Sequence, residues 1–116
     1  MEYFAIHPDV FAVICARAHL SFDAYKSLAL SNFSGVKRAV WSSQVYELVD
    51  TVNVKIKIRP RRRDCLTVSE QGLKTLLEGI LTSLNSSVST DAFYTQVMSD
   101  YADCILVVPA SDMVQN

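Results

Sequence analysis

Between Asp50 and Pro60 the apolar residues change period, and that change limits what the chain can fold into. Val52, Val54, Ile56 and Ile58 alternate with Asn53, Lys55, Lys57 and Arg59, the period of two expected of a strand buried on one face. Pro60 ends it by removing a ladder donor, and "CLTV", Cys65 to Val68, is placed to return beside it across an arginine-rich turn. On both sides of this segment the period is helical. A chain with paired helices before and after one short β element has few ways to bury its apolar faces.

The helices are read from their caps and stripes. Pro8 and Asp9 suit the first turn of a short helix over "HPDVFAVICARAHL", which shows no clean stripe. Ser21 is an N-cap for a second helix with Phe22, Tyr25, Leu28 and Ala29 on one face, broken at Asn32, Ser34 and Gly35. From Val36, the residues Val40, Trp41, Val45 and Leu48 give an amphipathic helix ending near Asp50. Ser69 caps "EQGLKTLLEGILTSL", whose Leu73, Leu76, Leu77, Ile80, Leu81 and Leu84 make the strongest stripe in the chain. After the polar turn "NSSVST", Thr90 and Asp91 open a last helix. It places Tyr94, Val97, Met98, Tyr101, Ile105 and Val108 on one face and closes at Pro109.

Four substantial helices with short connections predict a mainly α domain over residues 1–116. The expected form is an antiparallel four-helix bundle with a small antiparallel β element between the helix pairs. The turns near Gly35 and Ser86 would then share one end, with the strand and its arginines at the other. The chain is half apolar, enough for a core of its own. No apolar run approaches the ~20 residues of a membrane span, and "MEYFAIHPDV" lacks the basic start of a signal peptide, so a soluble, unprocessed chain is expected. Cys15, Cys65 and Cys104 are odd in number and far apart, which predicts reduced thiols.

Chemistry-bearing patterns are sparse. His7 and His19 stand in no metal-ligand or nucleophile-base spacing, and Gly35, Gly72 and Gly79 are isolated, so no catalytic residue, metal site or cofactor is expected. Asp100 and Asp103 sit at i, i+3 on an expected solvent face. Charge, by contrast, is segregated. Residues 51–64 carry six basic side chains against one acidic, and the rest of the chain five against eleven, within a net charge of −1. Arg59, Arg61, Arg62 and Arg63 form an outer basic edge that either keeps a strand edge soluble or binds phosphates, although no aromatic lies among them to stack a base. Lys37 and Arg38, beside Ser34 at a helix start, make a smaller anion site.

The ordered elements resemble the coat proteins of rod-shaped plant viruses, the tobacco mosaic virus type. "MEYFAIHPDVF" has that family's spacing at Met1, Tyr3, Pro8 and Phe11, and "LALSNF" followed by "RAVWSSQVYE" resembles its first bundle turn and second helix. Arg38, Gln44 and Glu47 fall at matching places; "VNVKIKIRP" resembles the outer strand and "GLKTLLEGILTSLN" the third helix. The likeness covers about residues 1–85 reasonably and 91–108 weakly. It implies a structural subunit, not an enzyme, that self-assembles into discs or helical rods around RNA, located in the virion and the host cytoplasm with no membrane partner. It also implies that Ser34, Lys37 and Arg38 face RNA at low radius while Arg61, Arg62 and Arg63 face outward. A family intersubunit carboxylate pair matches Glu47 and Lys74, so a repulsive contact becomes attractive here. The inner-loop arginines of the family have no counterpart in "NSSVST". The alternative, carried by charge alone, is a small regulatory module binding nucleic acid through Arg59–Arg63.

Overall fold

A computed structural model of the chain describes residues 2–36 and 61–113. Among them are strands β1 (Glu2–Ile6), β2 (Leu66–Ser69) and β3 (Leu106–Pro109), and helices α1 (Pro8–Arg17), α2 (Phe22–Asn32), α3 (Glu70–Ser83) and α4 (Thr90–Asp100). Short 3-10 turns occupy Arg62–Asp64 and Ala110–Met113. The described chain is therefore helical with one small antiparallel sheet, ordered β2-β1-β3. The helix expected over 36–50 and the strand over 52–59 lie outside the described residues.

The helix starts follow from local chemistry. Ser21, Ser69 and Ser89 each accept the backbone N–H three residues on, satisfying one of the donors that every helix start leaves unpaired. His7 caps α1, its Nδ1 accepting from the Asp9 N–H at 3.0 Å. The ends of α1 and α3 use a left-handed residue, His19 at φ 64° and Asn85 at φ 52°. The next N–H in each case reaches back five residues, Leu20 to the Cys15 carbonyl and Ser86 to the Leu81 carbonyl, both at 3.0 Å. Both histidines thus have definite places in helix termini.

The sheet corrects two sequence expectations. Residues 2–6, which carry no alternation, form the central strand, with Tyr3 opposite both Ser69 and Val108, and Ala5 opposite both Thr67 and Leu106. A central strand is covered on both faces: Phe4 and Ile6 join the main core, while Ala5 packs with Cys65 and Val108 on the other side. The last helix does not run to Pro109. It ends at Asp100, and the Cys104 and Ile105 N–H groups both close on the Tyr101 carbonyl, at 2.9 and 3.1 Å, before β3 begins. Tyr101, Ile105 and Val108 do fit helical spacing, but the β-branched run into Pro109 gains a full ladder with β1 by extending. The "CLTV" strand forms one residue later than its sequence suggests, as β2, and its partner among the described residues is β1. The β element is thus not confined to the middle of the chain, since its two other strands come from residues 2–6 and 106–109.

The core gathers on α1, whose residues Val10 to Ala16 are all buried, which is why its sequence shows no stripe. Phe11, fully buried, lies against Phe33 and Tyr25 with ring centroids 5.3 and 6.0 Å away. From α3, Leu73, Leu77 and Ile80 close the core with no exposure at all.

Tyr25 is 1% exposed, and its phenol is pushed up to about 12, first by burial and then by the charges of Cys15 and Asp9. A phenol held protonated in the fold but free to ionise near 10 in the unfolded chain makes the unfolded state the weaker proton binder between those values. Stability from this group is full below pH 10 and is lost as pH rises toward 12. Tyr25→Phe is expected to flatten that part of the alkaline limb in urea melts taken from pH 8 to 12.

Candidate nucleic-acid and subunit interface

Of the residues singled out in the sequence, Lys37, Arg38, Glu47 and Arg59 lie outside the described residues. Ser34, Lys74, Arg61, Arg62 and Arg63 are placed. Ser34 and Gly35 are exposed in the turn that follows α2. The turn is anchored on both sides, because Phe33 is fully buried and the Val36 N–H donates to the Phe33 carbonyl at 2.9 Å. A Cβ added to Gly35 would meet none of the described residues within 4 Å.

The three arginines occupy a short 3-10 turn, each exposed. Asp64 and Cys65 N–H groups close it on the carbonyls of Arg61 and Arg62 at 2.9 and 3.0 Å. Two further bonds fasten it: the Cys65 thiol donates to the Arg61 carbonyl at 3.3 Å, and Arg62 Nη2 donates to the Asp112 carbonyl at 3.4 Å. Burial against Ala5 and Val108, then the charge of Asp64, pushes the Cys65 thiol up to about 11. Cys65 is in consequence a protonated latch beneath the sheet and not a nucleophile at neutral pH. None of the three cysteines is in a disulfide, and burial also raises the Cys104 thiol.

Lys74 makes a contact that no sequence pattern announces. Its Nζ lies 3.2 Å from Asp91 Oδ1 and 5.1 Å from the Tyr94 ring centroid, tying α3 to the start of α4. Asp91 is well exposed, so the ion pair contributes only about 0–1 kcal/mol. The Tyr94 phenol is raised by burial first, then by the charge and hydrogen bond of Glu70. A second bridge links Arg17, at the end of α1, to Tyr101: Nη1 donates to the phenol oxygen at 3.3 Å, and the guanidinium carbon lies 5.7 Å from the ring centroid. Each pair joins residues distant in sequence, beyond the reach of any local spacing.

Among the described residues no group of histidine, cysteine and carboxylate side chains could hold a metal ion, and no helix is long and apolar enough to cross a membrane. What the described surface offers is charge on hydrogen-bonded turns. No protein-family model, curated protein or solved structure matches the chain.

Proposed function

We propose that the chain is a structural coat subunit that self-associates into discs or helical rods around RNA, its helices forming an antiparallel four-helix bundle that radiates from the small sheet. The supporting observation is the closure of the described chain by one sheet. β1 and β3, from opposite ends of the described chain, pair with each other, β1 pairs with β2, and helices lead away from that sheet. α2 and α3 meet where a Cβ on Gly79 would lie 3.2 Å from Leu28 Cδ2, each residue four positions before the end of its helix. The turns at Ser34 and Ser86 are therefore each within roughly 10 Å, along the axes, of one contact. That suits a shared surface remote from the basic turn.

In this arrangement Ser34, Lys37 and Arg38 take RNA phosphates while Arg61, Arg62 and Arg63 lie outward. Lys74 can serve a Glu47 of a neighbouring subunit only in competition with its own Asp91. The alternative, a nucleic-acid module using Arg59–Arg63, draws on the exposure of Arg61–Arg63. RNA binding at several salt concentrations separates the two. Lys37→Ala with Arg38→Ala is expected to weaken binding and to lower the log–log salt slope by about 0.7 for each single-strand phosphate that is no longer neutralised. Arg61→Ala, Arg62→Ala and Arg63→Ala together should do less; a larger effect from the arginine triple would favour the module.

A further inference from the structure

The basic turn has a well-matched partner in the chain itself. Outside residues 51–64 the chain carries eleven acidic side chains against five basic, so each copy, net −1 as a whole, offers acidic surface away from its own basic stretch. Asp100 and Asp103 are both exposed at the end of α4, in the turn that leads into β3. Arg61 to Arg63 stand in the turn that leads into β2. β2 and β3 are the two outer strands of the described sheet.

Both turns are closed by hydrogen bonds before any contact is made. The acidic one is closed by three bonds, Tyr101 N–H to the Val97 carbonyl at 2.9 Å and the two N–H donors that share the Tyr101 carbonyl. It is braced further by the Arg17 bridge to Tyr101, a cation that stands beside it. The basic turn is held by its backbone bonds, the Cys65 thiol and the Arg62 bond to the Asp112 carbonyl, with Asp64 its one internal carboxylate. Little backbone freedom is left to lose on docking, and the cost that remains is the ordering of the arginine side chains. Arg61, Arg63, Asp100 and Asp103 enter no ion pair with any described residue.

We propose that Arg61 and Arg63 of one copy dock on Asp100 and Asp103 of a second copy, head to tail. Two different patches on each chain make the contact heterologous, so it propagates into rings or open helices instead of stopping at a twofold dimer. This assignment rests on the self-assembly proposed above and names one of its contacts. A nucleic acid fits the basic turn less well, because no aromatic lies in residues 61–65 and most of the chain would repel it.

The test is sedimentation velocity of the full chain and of two charge-reversed variants, Arg61→Glu with Arg63→Glu and Asp100→Lys with Asp103→Lys, alone and mixed in equal amounts. Arg62 is kept because it holds the Asp112 carbonyl. Each variant alone should need on the order of tenfold or more protein to associate. The mixture should recover association, since the carboxylates introduced in one variant then meet the ammonium groups introduced in the other, and the unaltered patches meet each other. Recovery on mixing also shows that both variants are folded. Variants that associate like the parent chain, or a mixture of folded variants that stays small, would overturn this contact while leaving self-assembly intact. A parent chain that stays monomeric at every concentration would overturn both. Loss of RNA binding with unchanged association in the arginine variant would assign the basic turn to nucleic acid and overturn the contact.

Discussion

Phe11→Ala should cost about 3–5 kcal/mol, a large share of the stability of a domain this size. The ring is fully buried on a helix that is itself buried along most of its length, and it touches both Phe33 and Tyr25. Removing it deletes two aromatic contacts and leaves a cavity that neighbours on α2 can fill only by shifting. Urea unfolding at one fixed protein concentration would show the midpoint falling with little change in slope. A loss below ~1 kcal/mol would mean that the centre of the core is elsewhere.

The second large effect separates two adjacent valines. Val108 is 4% exposed and lies against Ala5 and Cys65, whereas Val107 is 56% exposed on the opposite face of β3. Val108→Asp buries a carboxylate against Ala5 and Cys65 and should cost at least ~3 kcal/mol. Val107→Asp should cost less than ~1 kcal/mol. Equal losses from the two substitutions would contradict the packing of Val108 against Ala5 and Cys65.

These residues also mark where the sequence is legible. Ser21 and Ser69 identify their helices because capping is local chemistry, and the stripe from Leu73 to Leu81 is buried as its spacing requires. Leu84, at the end of that stripe, is only partly buried. β3 reads as helix because a short apolar run fits both periods, and the deciding fact is its partner, over 90 residues away in β1. β1 is itself illegible, since a strand covered on both faces does not alternate. At the candidate site, the exposure of Arg61 to Arg63 follows from their charge, while the engagement of Lys74 with Asp91 and Tyr94 is tertiary and has no local signal.

Self-assembly is the central claim, and particle size tests it most directly. Purified chain should be sedimented over a range of concentrations and imaged by electron microscopy, with and without single-stranded RNA. The account predicts discs that grow with concentration, and rods when RNA is present. Small uniform particles of one or two chains under every condition, with RNA or without, would contradict it.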